Sequence, residues 1–87
     1  MNKREFISVS KNMVTEYVNV FGDEEIKKKD VSVVAFHETP EHHRILLSVP
    51  TSDDFYYEVT YDKSKSEIHS YAYRKVGKRI LGKKVNK

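Results

Sequence analysis

The stretch from Arg44 to Arg74 constrains the fold most, because it holds three apolar segments separated by two polar gaps. In its middle segment, Phe55, Tyr57, Val59 and Tyr61 alternate with more polar residues. A period of two is typical of a β-strand with one apolar face and one polar face. Short polar gaps join neighbouring antiparallel strands. The stretch therefore predicts a three-strand antiparallel meander.

An amphipathic helix is predicted before this meander, from Lys3 to Phe21. Asn2 and Glu5 have the spacing of a capping box, and Gly22 stands where the helix should end. Between these signals the apolar residues recur at helical spacing, in a wide stripe that we expect to face the core. The stripe consists of Phe6, Ile7, Val9, Met13, Val14, Tyr17, Val18, Val20 and Phe21.

A fourth strand is predicted from Val31 to Phe36, between the helix and the meander. Its residues are apolar on both faces, which favours an interior place in the sheet or a partly covered second face. The polar segment that follows, from His37 to His43, is predicted to be a solvated turn with Pro40 at its apex. The fold class is therefore α+β, with one N-terminal amphipathic helix packed on an antiparallel sheet of about four strands. This α-β-β-β-β layout is similar to that of cystatin-like folds.

The length of the loop before the last strand decides which face of that strand meets the core. A loop of four residues places one alternating set there, namely Ile68, Ser70 and Ala72. A loop of five residues places the other set there, namely His69, Tyr71 and Tyr73. Both remain open, because a slip of one residue exchanges the two faces. We favour the shorter loop, which buries Ile68 and leaves the tyrosines beside Tyr56.

Charge is distributed unevenly along the chain. The net charge is +3, yet the last fourteen residues carry seven basic residues and no acidic one. The first 73 residues hold nine basic and thirteen acidic residues, a net charge of −4. We expect residues 1–81 to form a single small domain and residues 82–87 a basic, flexible tail. Such an asymmetry bears on partners rather than on the fold.

Length and cysteine content exclude several classes of protein. A chain of 87 residues makes one small domain with a single core. The chain has no cysteine, which excludes a disulfide scaffold and fits a reducing compartment. No apolar run has the length of a signal peptide or a membrane span. We therefore expect a cytoplasmic protein that does not associate with a membrane.

Catalytic and metal-binding patterns are weak. His37, His42 and His43 lie close to two glutamates, but adjacent polar residues around a proline are more typical of a turn than of a zinc site. The acidic groups at residues 23–25 and 53–54 fall in predicted exposed loops, whereas acid–base catalysis needs carboxylates in an apolar cleft. No glycine-rich phosphate loop or nucleophile motif is present. We expect a protein that is not an enzyme and needs neither a metal nor another cofactor.

The candidate binding residues are the exposed tyrosines and the basic residues that follow them. Tyrosine and arginine dominate the energetics of many protein interfaces, and tyrosine also stacks on the bases of single strands. Alternatively, the tyrosines only cover a thin sheet. The candidates are Tyr56, Tyr71, Tyr73, Arg74, Lys75, Lys78, Arg79, Lys83 and Lys84.

Two resemblances add context. Residues 59–62 with Ser66, Glu67 and Ile68 resemble the closing hairpin of PepSY-type domains, which usually carry a glycine where Ser66 stands. More of the chain is similar to short uncharacterised proteins of phages and integrative elements of Gram-positive bacteria. The shared segments are Asp30 to Val34, Leu46 to Ser48, Tyr56 to Tyr61 and Ala72 to Lys75. This resemblance implies an accessory protein of a mobile element and supplies no active-site residue.

Three functional hypotheses follow. The first is a non-catalytic module that binds a protein partner, such as a host or defence factor, through a sheet face and its tyrosines. The second is a nucleic-acid binder that uses the basic tail and the same tyrosines as a stacking platform. The third, an enzyme or metal protein, has the least support. The net negative charge of residues 1–73 favours the first hypothesis over the second. Nucleic-acid-binding domains usually spread basic residues over their folded face.

Overall fold

The structure is a computed structural model that describes residues 1–51, 55–76 and 79–85, with side chains described for residues 1–51 and 55–73. Helix α1 (Lys3–Phe21) is followed by a short 3-10 turn (Lys28–Asp30). The chain then forms the strands β1 (Ser32–Glu38), β2 (His42–Ser48), β3 (Phe55–Asp62), β4 (Glu67–Val76) and β5 (Arg79–Val85). These strands form one antiparallel sheet in the order β1-β2-β3-β4-β5. The predicted fold class, one N-terminal helix on an antiparallel sheet, is confirmed.

Helix α1 begins at a capping box, as predicted. The Asn2 side chain accepts a hydrogen bond from the Glu5 backbone N–H at 2.8 Å, and the Glu5 carboxylate accepts one from the Asn2 N–H at 3.3 Å. Gly22 ends the helix with an ordinary φ of −88°. Glycine is favoured there by close approach, because a Cβ atom would lie 2.6 Å from the carbonyl oxygen of Val18.

The face of the sheet that meets α1, here called the inner face, carries the core. Among the residues whose side chains are described, eleven buried apolar residues form one cluster, which includes Phe6, Val14, Ile45, Leu47 and Val59. Strands β2 and β3 supply its centre, since both lie beneath the helix. The other face of the sheet, the outer face, has no helix across it in the described part of the chain.

Two residues of the predicted helical stripe do not belong to the core. Val20 is 70% exposed and Phe21 is 72% exposed. The Phe21 ring contacts the ring of Tyr17, at 4.9 Å between centroids, while Tyr17 packs against the core and contacts Tyr57. The helix passes the end of the core in its last turn, so periodicity alone overestimates the buried stripe.

Strand β1 lies at an edge of the sheet. Of the two predicted alternatives, an interior place or a partly covered second face, the first is wrong. Val33 is 42% exposed and Val34 is 52% exposed. A bulge between Val33 and Ala35 leaves Val34 without a partner on β2. The physical reason is the meander topology, because consecutive strands pair in sequence order and the first strand then has a neighbour on one side only.

The β3–β4 hairpin has the four-residue loop that we favoured. Tyr57 pairs with Ala72 and Val59 with Ser70, so all four residues share the inner face. The residues that alternate with these four lie on the outer face, where Tyr56 pairs directly with Tyr73. Within the loop, Ser66 takes the left-handed backbone conformation with φ 53°, which is the position where the PepSY-type hairpins carry glycine.

The basic C-terminal segment differs from the prediction of a flexible tail. The backbone of residues 79–85 forms β5, which pairs antiparallel with β4. The paired residues run from Val76 opposite Arg79 to Ser70 opposite Val85. The predicted tail at residues 82–87 therefore belongs to the sheet as far as residue 85, while residues 86 and 87 lie outside the described residues. The reason is that β4 would otherwise present unpaired N–H and C=O groups, and the following segment satisfies them.

None of the helices in the described ranges combines the length and the apolar character that a bilayer crossing requires.

Burial distinguishes the two phenylalanines at opposite ends of α1. Replacing Phe6, which has no exposed surface, with alanine should reduce the free energy of unfolding by about 3–5 kcal/mol. Phe21→Ala is the matched control and should cost less than about 1.5 kcal/mol, because Phe21 is 72% exposed and loses a ring contact with Tyr17 rather than a place in the core. Urea unfolding followed by circular dichroism measures both values. Equal losses would contradict the placement of the two rings.

Candidate functional site

The outer face of β3 and β4 brings the three candidate tyrosines together. Tyr56 lies opposite Tyr73, and Tyr71 lies opposite Glu58. The rings of Tyr71 and Tyr73 contact each other, with 6.3 Å between their centroids. Tyr56 is exposed, whereas Tyr71 and Tyr73 are half-buried. The structure therefore places these three side chains on one surface, as the shorter loop predicts.

A shallow groove crosses the outer face from β1 to β4. Its volume is about 530 Å³, and its lining is mostly apolar. Each of the first four strands contributes to it, because side chains of the same parity share a face of the sheet. The lining residues are Val34, Leu46, Tyr56, Glu58 and Tyr73. A concave apolar surface of this size with one charged group has the composition of a recognition site.

Glu58 is the polar centre of this groove. Its Oε1 atom accepts a hydrogen bond from the Tyr73 hydroxyl at 3.3 Å, and its Oε2 atom lies 3.8 Å from Nε of Arg44. Burial raises the pKa of the Tyr73 hydroxyl, and the neighbouring Glu58 carboxylate raises it further. Tyr73 therefore stays neutral and donates to Glu58, which fixes the orientation of both side chains in the groove.

The candidate basic residues follow the tyrosines onto β4 and β5. The backbone of Arg74 and Lys75 belongs to β4, and that of Arg79, Lys83 and Lys84 belongs to β5, while their side chains lie outside what the structure describes. Lys78 lies outside the described residues altogether.

The register of β5 places basic residues next to the tyrosines of β4. Lys84 pairs with Tyr71, and Lys83 pairs with Ala72. The sequence had placed both lysines on a detached tail. In the structure, their backbone lies one strand away from the tyrosine surface.

His43 is the residue whose environment differs most from the sequence interpretation. The segment from His37 to His43 was predicted to be a solvated turn, but β1 extends to Glu38 and β2 begins at His42. His43 is only 2% exposed on the inner face. Its ring stacks on Phe6 at 5.3 Å and on Tyr61 at 6.2 Å between centroids. The signal was present in the alternation of His43, Ile45 and Leu47.

The electrostatic surroundings of His43 oppose its protonation. Burial lowers the pKa of the imidazole, and the Lys63 ammonium and the N-terminal amine lower it too. The Glu38 carboxylate, with Oε2 3.0 Å from Nδ1, acts in the opposite direction but does not outweigh them. His43 is therefore a neutral aromatic member of the core at neutral pH.

The other described histidines and acids form isolated pairs rather than a cluster of metal-binding side chains. His42 and His43 point to opposite faces of β2, and His42 lies 3.6 Å from Asp62. Among the described residues, no group of three or more metal-binding side chains could hold an ion. The acidic residues 23–25 are exposed, and residues 53 and 54 lie outside the described part of the chain.

Sequence reasoning missed the residues that complete the groove. Leu46 was assigned to a strand but not to a site, and Val34 was expected to be covered. Glu58 alternates with the apolar residues of β3. This alternation predicts a position on the outer face, but it does not predict the contact of Glu58 with Tyr73. The contact of Glu58 with Tyr73 lies within the β3–β4 hairpin. The positions of Val34 and Leu46 beside the tyrosines depend instead on the order of four strands, which no local pattern reveals.

Fold and site together define a small α+β protein, in which one helix covers the inner face of an antiparallel sheet and an aromatic groove lies on its outer face. Residues 7–82 match the family described as "Family of unknown function (DUF6275)", and the chain belongs to this family. No curated protein and no solved structure was found to match the chain.

The stability of the fold should decrease on mild acidification because of His43. The unfolded chain binds a proton near the ordinary histidine pKa of 6.5, whereas the folded protein does so only at lower pH. The contribution of His43 to the free energy of unfolding is therefore fully present above about pH 6.5. It is lost as the pH falls towards the lower pKa that His43 has in the folded protein. Urea midpoints at pH 7.5 and 5.5 should differ for the wild type and much less for His43→Phe.

His37→Gln is the matched control, because this histidine is exposed on β1. It should keep the pH dependence of the wild type. An unchanged dependence in His43→Phe would show that another group is responsible.

Proposed function

We propose that this protein is a non-catalytic interaction module that binds a protein partner through the groove of its outer face. In this proposal it is a cytoplasmic accessory protein of a phage or mobile element that modulates a host or defence macromolecule. The similarity of its strand segments to phage and integrative-element proteins supports that context. The observation that carries the proposal is the aromatic groove on a sheet face that α1 leaves free.

The chemistry of the groove favours a protein surface as the occupant. Tyr56 and Tyr73 offer large, rigid aromatic surfaces, which concentrate binding energy at protein interfaces. Leu46 adds an aliphatic wall between them and β1. Glu58 supplies one oriented carboxylate in an otherwise apolar lining. A partner segment with an apolar side chain next to a basic or amide donor matches this arrangement.

A second candidate function is binding of single-stranded nucleic acid. The pairing of β4 with β5 favours it, because the basic backbone segment lies beside Tyr71 rather than on a detached tail. Exposed aromatic rings next to lysines are the usual elements of a stacking platform for bases. The groove itself is less suited to this role, since the Glu58 carboxylate would repel phosphate groups.

Tyr56→Ala should disrupt the proposed protein interface without unfolding the chain, because this tyrosine is exposed. Loss of a central aromatic contact costs about 2 kcal/mol or more, which is roughly a thirtyfold loss of affinity. Immobilised wild type and variant are compared in a host lysate before and after nuclease treatment. A protein that the wild type retains and Tyr56→Ala does not is then purified and titrated directly.

Val20→Ala is the control, because it truncates an exposed side chain on α1, away from the sheet. It should retain the same protein with unchanged affinity. Equal retention by Tyr56→Ala would contradict a role for the groove. Retention that disappears on nuclease treatment would support the second candidate function instead.

The second candidate function, binding of single-stranded nucleic acid, predicts that different substitutions reduce affinity. Tyr71→Ala should cost about 1–3 kcal/mol on a single strand and little on a duplex, because only unpaired bases stack on a ring. Lys84→Gln should reduce affinity for both and lower the salt dependence, because one phosphate contact is lost. Fluorescence anisotropy over a salt series measures these effects. No binding at low salt would eliminate this function.

A further inference from the structure

The Glu58 carboxylate is only loosely paired within the outer-face groove. Its side chain is 22% exposed, and the lining around it is mostly apolar. The Tyr73 hydroxyl donates to its Oε1 atom at 3.3 Å. Among the side chains that the structure describes, Arg44 is the only cation within 4 Å, and its Nε atom lies 3.8 Å from Oε2. Charge-assisted hydrogen bonds are shorter, at about 2.7–2.9 Å. The carboxylate therefore still depends on solvent for part of its stabilisation.

Any occupant of the groove removes that solvent. A charge that is buried without a partner is strongly unfavourable, so a segment that covers the apolar lining must also supply a donor to Glu58. A cation is the strongest donor of this kind. The same negative charge disfavours an anion at this position. Charge complementarity therefore indicates a basic side chain in the occupant.

The tyrosines around Glu58 distinguish between basic side chains. Tyr56 pairs with Tyr73 across the two strands, and Tyr71 pairs with Glu58. The face of a tyrosine ring attracts a cation, and arginine uses this contact more often than lysine because its planar guanidinium stacks on the ring and is weakly hydrated. A guanidinium also directs two parallel N–H groups at the two oxygens of a carboxylate. Arginine fits both features of the groove.

We propose that the groove takes an arginine side chain of the protein partner, which binds the Glu58 carboxylate in place of Arg44. This inference rests on the function proposed for the groove and specifies the residue recognised there. Arg44 is 62% exposed, so its guanidinium can return to solvent, and exposed ion pairs contribute little to stability. The aliphatic part of the incoming arginine packs against Leu46 and Tyr56.

Two small probes that differ in charge test this proposal. Acetyl-leucyl-arginine amide and acetyl-leucyl-citrulline amide are titrated into isotope-labelled protein, and the shifts of the β3 and β4 amide signals in NMR spectra give both dissociation constants. The arginine probe should bind at least about tenfold more tightly, because citrulline has the same shape but no charge. Acetyl-leucyl-lysine amide should bind at least about threefold more weakly than the arginine probe.

The outcomes separate this proposal from the function on which it rests. Equal affinities of the arginine and citrulline probes would overturn the arginine and leave the groove as a site for a neutral segment. Equal affinities of the arginine and lysine probes would overturn the choice of arginine. Failure of all probes to bind would also overturn the proposal, whereas the lysate comparison with Tyr56→Ala still decides whether the groove binds a protein.

Substitutions in the ion pair should act in opposite directions on the arginine probe. Glu58→Gln should weaken its binding at least about tenfold. Arg44→Gln should strengthen it about two- to fivefold, because a competing cation is removed. Glu67→Gln is the matched control, since it makes the same change at an exposed residue of the same face whose partner is His69, and it should have no effect. Circular dichroism melting checks that the variants are folded. Weaker binding by Arg44→Gln, or equal losses in the two glutamine variants of glutamate, would overturn the proposal.

Discussion

The turn between β3 and β4 is the constraint on which the rest of the structure depends. The Asp62 Oδ1 atom accepts hydrogen bonds from the backbone N–H groups of Ser64 and Lys65, at 3.0 and 3.2 Å, and from the Ser64 hydroxyl at 2.7 Å. These bonds also lower the pKa of the Asp62 carboxyl, the Ser64 hydroxyl contributing most. They fix a loop of four residues, and a loop one residue longer would reverse every side chain of β4.

That register separates a core surface from the aromatic surface of the candidate site. With four residues in the loop, Ser70 and Ala72 lie on the inner face, where small side chains allow α1 to pack closely. Tyr71 and Tyr73 are then directed to the outer face. The opposite register would place two tyrosines beneath the helix and leave the outer face without them. One local turn therefore decides whether the protein has an aromatic groove.

The sequence predicted the features that depend on local periodicity and failed on those that depend on strand order. The bounds of α1 and its capping box follow from patterns within a few residues. The sequence left two registers of the β3–β4 hairpin open and favoured the one that the structure has. The edge position of β1 and the pairing of β5 depend on which strands are neighbours, which composition does not report. His43 was misplaced because histidine next to charged residues resembles a turn, although its alternation with Ile45 and Leu47 matched a buried strand face.

The same distinction applies to the candidate site. Alternation together with the favoured four-residue loop predicted that the three tyrosines share one surface, and the pairing of β3 with β4 confirms it. It could not identify Val34 and Leu46 as their neighbours, since that contact requires the order of four strands. The positions of the basic residues also depended on strand order, because the pairing of β5 brings the backbone of Lys84 beside Tyr71.

Glu58 divides the outer face into two regions with different chemistry. In the groove, the Glu58 carboxylate lies among Leu46, Tyr56 and Tyr73. Its negative charge disfavours a phosphate group there and suits a hydrogen-bond donor of a protein partner. On the β5 side, Tyr71 lies next to the backbone of a strand rich in lysine and arginine. A protein partner and a nucleic acid would therefore occupy different halves of this face. A substitution at Tyr56 addresses the groove, whereas Tyr71 faces Glu58 and contacts the ring of Tyr73, so a substitution at Tyr71 affects both halves.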